Sequence, residues 1–423
     1  MSLPQAKLYE IILGLSEALD LVDPILSNHH KMVAYIAGAI GERLGLPINN
    51  QRQLIMAGAL HDIGSLSVLE RISILSFEDE FSHEHAKVGY NLLKSFAPLE
   101  HIADIVRFHH LPWNDGQGRV FRDIPVPYES HIIHLADRIS VMVPEASRVL
   151  EEAPKISRKI AESRGDKFVP EHVGAFLELA KTESFWLDTV SNSLDRILAV
   201  KFEGVNIKVT LDELIDIARI FSRIVDFRSP VNAAHSSGVA ISAELLGRKL
   251  GFDDTKSKLM LAAGYFHDIG KLAVPPYILE KPGKLTRNEF LVVRRHTYYT
   301  HSILSNIKTF GNITKWAAYH HERLDGSGYP FHLKEQDLPF ESQAMSVADV
   351  FTAVTEDRPY RVGMKKPQVI DLLNKMVKNK ALNGDIVKIL IDNYDDLNYG
   401  RNIAQRDSLT EYAHFTKPYN LIS

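Results

Sequence analysis

Apolar residues in this chain recur at three- and four-residue steps almost from end to end, the spacing that lines one face of an α-helix. Val33-Ala34, Ala37, Ile40-Gly41 and Leu44 show it, and Val239-Ala240, Ala243, Leu246-Gly247 and Leu250 show it again. A glycine follows each stretch, Gly45 and Gly251, where a helix leaves through a left-handed residue. Alternating β-branched runs closed by tight turns are scarce, and the stretch around Val205–Val209 is the best strand candidate. The pattern predicts an all-α protein. Phe168-Val169-Pro170 and a helix from Glu171 to Ala180 close the first half, and a further helical stretch leads into Lys201–Gly204. Two domains are therefore expected, 1–200 and 201–423, with no low-complexity linker between them.

Laid over each other, the halves share more than helices. His29, His61, Asp62, His85, His109, His110 and Asp137 have counterparts in His235, His267, Asp268, His296, His320, His321 and Asp349. The separation is 206 residues for the first three pairs, 211 for the next three and 212 for the last. With only 19 histidines in 423 residues, near-constant offsets at all seven positions mark a tandem duplication. Several of these residues follow strongly apolar stretches, as His267-Asp268 follows Leu261–Phe266 and Asp349 follows Met345–Ala348. A carboxylate buried there without a partner is costly, and a divalent cation supplies the missing charge. A lone histidine in such a place is ordinarily a hydrogen-bonded core residue; seven repeated together point to metal. They are too many for one tetrahedral ion and suit two ions sharing a carboxylate, with a position left for water. Register alone selects His29 over His30, and His83, His131 and His134 read as ordinary polar histidines.

The formal net charge of −4 is too little positive charge to hold long nucleic acid, which leaves a small nucleotide as the compatible ligand. The absence of cysteine excludes disulfides and thiolate metal sites. No apolar run reaches membrane-spanning length, and Glu10 and Glu17 interrupt the N-terminal apolar stretch, unlike a signal peptide. A cytoplasmic protein with no membrane association is expected.

His267-Asp268 with Gly270-Lys271, then His320-His321-Glu322-Arg323-Leu324-Asp325-Gly326-Ser327-Gly328-Tyr329-Pro330, then Asp349 and Asp357-Arg358-Pro359-Tyr360-Arg361, resembles the HD-GYP branch of the HD phosphohydrolase superfamily. The resemblance covers roughly 210 to 400, and a more diverged HD-type version covers roughly 10 to 185. It implies tandem HD-type helical domains and a metal-dependent phosphodiesterase that opens bacterial cyclic dinucleotides, cyclic di-GMP first and the mixed cyclic GMP-AMP second. It further implies that His235, His267, Asp268 and Asp349 hold one ion, and that Asp268, as the bridge, holds the other with His296, His320 and His321. Two transition-metal ions, Fe or Mn ahead of Zn, are expected in the second half, and metal in the first as well. Asp268 and Lys271 would be catalytic, with Lys271 over the scissile phosphate; Lys271, Tyr329, Arg358 and Arg361 would contact substrate. The Gly-Tyr-Pro loop offers a docking point for a diguanylate-cyclase-type protein, and a homodimer is compatible with the family. Two departures stand out: Val231 occupies the place of a Glu that serves a third metal in some members, and Thr352 that of a second Asp.

The first half keeps all seven ligand types but has Ser65 where the second has Lys271. Its loop after His109-His110 lacks Gly-Tyr-Pro, and Asp137 is followed by Arg138-Ile139-Ser140 with no Arg-Pro-Tyr-Arg. This predicts a metal-loaded domain with a regulatory or structural role rather than an independent phosphohydrolase. Rival readings of the whole chain are a sensor or cyclase-docking module without turnover, and a general nucleotide phosphohydrolase.

Overall fold

The computed structural model describes residues 6–21, 28–65, 83–203, 207–227, 234–357 and 361–416. It divides into two compact units, Lys7–Ile207 and Lys208–Ser423, the latter joined by Met1–Ala6. Both are helical. The first unit runs through helices Leu8–Asp20, His29–Arg43, Ile48–Leu60, His83–Lys94, Glu100–Arg107, Tyr128–Met142, Val149–Glu162 and Pro170–Leu179, then two short ones ending at Val200. The second repeats the order with Leu211–Asp226, His235–Lys249, Asp254–Phe266, Arg287–Ser305, Gly311–Ala318 and Phe340–Thr355, and adds Lys366–Lys378, Gly384–Asp392 and Tyr394–Thr416.

The expected helix stops are where the pattern puts them: Gly45 and Gly251 take φ of 71° and 83° just beyond helices His29–Arg43 and His235–Lys249. These helices pack on Ile48–Leu60 and Asp254–Phe266, burying Ile36, Ala37, Ile40, Leu54 and Ile55 in one unit and Val239, Ala240, Ala243, Leu259 and Ala262 in the other. In each unit a buried aspartate caps the first ligand-bearing helix. Asp20 accepts from the His30 N–H at 3.4 Å, and Asp226 from the Ser236 N–H at 3.1 Å.

The strand expectation fares differently. Residues 205 and 206 lie outside the described part, while the Ile207 carbonyl accepts from Leu8 N–H (3.1 Å) and Val209 N–H donates to the Ala6 carbonyl (3.0 Å). The named strands are instead Val120–Phe121 and Ile124–Pro125, an antiparallel hairpin in the loop after His110. Its two turn residues, Arg122 and Asp123, both have positive φ (49° and 64°), the conformation that matches strand twist in a two-residue hairpin. Arg-Asp is a weak turn signal, so pattern reading passes over it.

A second glycine pair decides how the ligands meet. Gly64 and Gly270 occupy the turns that follow His61-Asp62 and His267-Asp268. A Cβ on Gly270 would sit 1.9 Å from the His296 carbonyl oxygen, and one on Gly64 2.1 Å from that of His85. The missing side chain thus lets the next ligand helix lie against the turn. Gly270→Ala is expected to force these backbones apart, costing about 1–3 kcal/mol or more. Gly174→Ala, in helix Pro170–Leu179 with nothing within 4 Å of its Cβ, is expected to be neutral or mildly stabilising. Scanning calorimetry of the two variants would decide, and equal melting temperatures would contradict the close-approach argument.

Candidate metal centres

Backbone carbonyls orient the histidines, at helix ends for most of them and inside helix Arg287–Ser305 for His296. The Nδ1 atoms of His61, His109, His267, His296 and His320 each lie 2.6–2.9 Å from the carbonyl three residues earlier, at Gly58, Val106, Gly264, Val293 and Ala317. A carbonyl only accepts, so Nδ1 carries the proton and Nε2 presents its lone pair to the interior. Side chains do the same for the first helical histidines: Ser140 Oγ is 2.9 Å from His29 Nδ1, and Glu356 Oε2 is 3.0 Å from His235 Nδ1.

In the second unit Asp268 lies between two imidazole groups. Its Oδ2 is 3.0 Å from His267 Nε2 and 3.8 Å from His235 Nε2; its Oδ1 is 3.4 Å from His296 Nε2 and 4.0 Å from His320 Nε2. Asp349 also spans the set, with Oδ1 3.3 Å from His235 Nε2 and Oδ2 3.7 Å from His321 Nδ1. All seven expected positions therefore converge. In the first unit Asp62 Oδ2 faces His61 (3.3 Å) while Oδ1 faces His85 (3.2 Å) and His109 (3.4 Å). His110 Nε2 is 3.0 Å from His85 Nε2, and Asp137 Oδ1 is 3.4 Å from His29 Nε2.

The protonation states suit cation binding. Burial holds His29 and His109 down at about 4 and His296 at about 3, and it keeps His110, His320 and His321 below the ordinary range too. For Asp268, burial pushes the carboxyl up but the His267 and Lys271 charges win and hold it well below the usual carboxylate range. Burial likewise opposes protonation of His61 and His235, yet Asp62 and Glu356 raise them to about 9 and about 10. These two imidazoles carry the positive charge that a bound cation would otherwise supply, so cation binding would displace their protons. Among the described residues, Nε2 of His29, His61, His109 and His267 and Oδ1 of Asp62, Asp137 and Asp268 are buried with no hydrogen-bond partner. Buried ligand atoms brought this close together in His/Asp clusters fit divalent cation binding in each unit.

The centres differ in access. Every ligand of the first is buried, whereas 32% of the His321 side chain and 17% of Lys271 are exposed in the second. Lys271 Nζ lies 2.5 Å from Asp268 Oδ2; Ser65, its counterpart, is buried. Tyr329 stands beside His321, with ring centroids 5.0 Å apart, and the Arg294 guanidinium lies over the Tyr329 ring at 4.7 Å. Glu322 anchors this loop by accepting from Phe331 N–H (2.7 Å) and Leu333 N–H (3.1 Å). Arg361 is exposed and donates to the Ala353 carbonyl; no described contact joins it to the ligand set. Arg358 and Val231 lie outside the described residues, and Thr352 donates to Ser242 Oγ at 3.2 Å.

Pattern reading missed three neighbours of the centres. Glu356 is seven residues, two helical turns, beyond Asp349, a spacing that could have flagged it. Arg138, fully buried, donates to Asp137 Oδ2 at 2.6 Å and holds that carboxylate at about 2 against burial, which raises it. His30, set aside by register, is buried beside His29 and His61. His131 faces the Gly118 carbonyl (3.2 Å) and His134 packs on Phe168, while the His83 side chain lies outside the described part.

HD-domain family models match residues 26–142 and 219–386. The chain is 28% identical over 414 residues to the 3′3′-cGAMP-specific phosphodiesterase 1 of Vibrio cholerae, covering 94% of each protein. It is 39% identical to a cyclic di-GMP phosphodiesterase of Pseudomonas aeruginosa over 137 residues, 32% of this chain and 33% of that one. A solved cyclic GMP-AMP-specific phosphodiesterase of Vibrio cholerae shares the fold, with a TM-score of 0.64 at 22% identity over 96% of this chain and 98% of that one. No described helix is long and apolar enough to cross a membrane.

Elemental analysis of protein purified under reducing conditions is expected to find about two transition-metal ions for each unit. Glu356→Gln should weaken metal binding in the second unit by about 10–100-fold in a chelator competition, because His235 loses the carboxylate that orients it. Unchanged affinity would remove Glu356 from the centre.

Proposed function

The chain belongs to the HD-domain family, with one HD domain in each half, and on that premise we propose that its second half is a metal-dependent phosphodiesterase acting on the cyclic dinucleotide 3′3′-cGAMP. The observation that carries the reaction is the position of Asp268, whose two oxygens face separate imidazole groups in a centre reached from solvent past Lys271 and His321. Support for the substrate is the extent of likeness: the cGAMP-specific relative matches over nearly the whole chain, the cyclic di-GMP enzyme over a third. The likeness thus favours the second of the two substrates expected from sequence over the first, cyclic di-GMP.

His235, His267, Asp268 and Asp349 would hold one ion and Asp268, His296, His320 and His321 the other. Such ions supply Lewis-acid activation of water and of the phosphoryl group. The chain's own residues do the rest. Asp268 keeps both imidazole groups in register, so attacking oxygen and phosphorus are brought together without reorganisation. Lys271 brings a point charge to the mouth of the centre, where negative charge grows on the phosphoryl oxygens. Burial pushes the Tyr329 hydroxyl up beyond its ordinary range, which keeps it a hydrogen-bond donor beside His321. Arg294, stacked on Tyr329, adds positive charge to the same wall. The first half has a closed set of ligands, Ser65 in place of a lysine and no Gly-Tyr-Pro turn, and its role is regulatory or structural.

The test is chromatography of products from 3′3′-cGAMP, cyclic di-GMP and ordinary nucleotides incubated with metal-loaded protein. Linear dinucleotide should form fastest from 3′3′-cGAMP; faster opening of cyclic di-GMP would restore the other substrate, and tight binding without product would make the protein a sensor. Asp268→Ala should abolish turnover, while Lys271→Ala should keep its metal and slow the reaction by roughly 10²-fold or more. Asp62→Ala should leave the chemical step in place, with any influence of the first half appearing as a coupling of about 1–3 kcal/mol. Complete inactivity of a folded Asp62→Ala protein with its second-half metals intact would show that both halves form one active unit.

A further inference from the structure

The seven-residue set of the first half leaves out His30, which is 1% exposed and directly follows His29. Its Nδ1 lies 2.5 Å from Asp20 Oδ1, so the proton sits there and the lone pair is on Nε2. That Nε2 is buried with no hydrogen-bond partner among the described residues. His30, His61 and Asp62 each offer a ligand atom within 4.8 Å of the others. The rings of His29, His30 and His61 form a nearly regular triangle, with centroids 5.4, 5.3 and 5.2 Å apart. Three imidazoles bound to one ion through nitrogens at about 2.0–2.1 Å, at roughly 110–120° to one another, place their centroids roughly 5 Å apart, which is the spacing found.

The second half shows what this position looks like without an imidazole. Asp20 and Asp226 are counterparts, 206 residues apart, and each caps the helix that opens with the first ligand histidine. At the next position, however, Ser236 turns its hydroxyl back onto Asp226 Oδ1 at 2.7 Å. The same carboxylate therefore holds a hydroxyl in one half and aims an imidazole inward in the other.

We propose that His30, oriented by Asp20, is an additional ligand of the first-half ion held by His29, His61, Asp62 and Asp137. That ion then has five protein ligands, three of them imidazoles, which fills a five-coordinate shell and leaves a single position of an octahedral one for water or a phosphoryl oxygen. The inference rests on metal binding by the first half. It would account for a first-half centre that keeps its full ligand set in the regulatory or structural role proposed above: filled coordination is the mark of a structural ion, open positions that of a catalytic one.

Anomalous diffraction from crystals of the metal-loaded full chain, collected at the absorption edge of the bound metal, tests this on unaltered protein. An ion at about 2.0–2.3 Å from His30 Nε2 is expected. An ion in the first centre lying beyond about 3 Å from that atom, or no ion there at all, would overturn the proposal and leave His30 as the partner of Asp20 alone. In solution, His30→Ser copies the second half, and Asp20→Asn keeps the imidazole but loosens it. Each should weaken the first-half ion by about 10–100-fold in a chelator competition; unchanged affinity in both would contradict ligation. Hydrolysis of 3′3′-cGAMP measured on the same samples keeps the two readings apart. A protein that hydrolyses no dinucleotide while His30 ligates would sink the proposed activity and leave the His30 assignment standing.

Discussion

Asp268 is ionised where water hardly reaches it, and Asp62 repeats the situation in the other unit. A carboxylate in such a place persists only if surrounding groups supply more favourable interaction than the water it has lost. The imidazoles around it do so only in part, because burial keeps several of them neutral. Their lone pairs and the aspartate's oxygens need a shared positive centre. Much of the local architecture follows from that need. Helices end just before His267 and His320 so that carbonyls can accept from their Nδ1 atoms, and Gly64 and Gly270 let neighbouring backbones close to the distance at which Nε2 atoms from different helices meet.

How much of this was legible in the sequence depends on whether a feature repeats. Helices were legible because a core-facing surface recurs every three or four residues, and helix exits because glycine takes a positive φ at little cost. The ligand set was legible because a buried carboxylate and imidazole cannot drift independently, so both copies keep nearly the same offsets. Features present in one copy only escaped. Glu356 has no counterpart at the equivalent distance from Asp137, and Arg138 is matched by Val350, so comparing halves draws no attention to either. His30 was hidden by the same comparison, since a serine stands opposite it. The hairpin at Val120–Pro125 is too short to show alternation, and Arg361 carries the right chemistry in the motif yet is directed to the Ala353 carbonyl.

The two centres also show which parts of a duplicated site can diverge freely. Lys271, Tyr329 and the exposed edge of His321 touch solvent, so their counterparts can change without stranding a buried charge. Ser65 in place of lysine is such a change. The seven ligands are different: removing one partner of a buried ionic set leaves the rest uncompensated, at a cost of about 3–5 kcal/mol for a simple pair. Even where substrate contacts have been lost, then, folding alone is a sufficient reason to retain the ligands. What can be altered cheaply is the charge balance around them. Arg138 is such an alteration: it occupies one oxygen of Asp137 with a permanent cation, leaving the other oxygen facing His29. On the proposed assignment the first centre keeps its ligands and gives up openness, while the second keeps both, and a division of labour between the halves would come down to which coordination positions the protein itself fills.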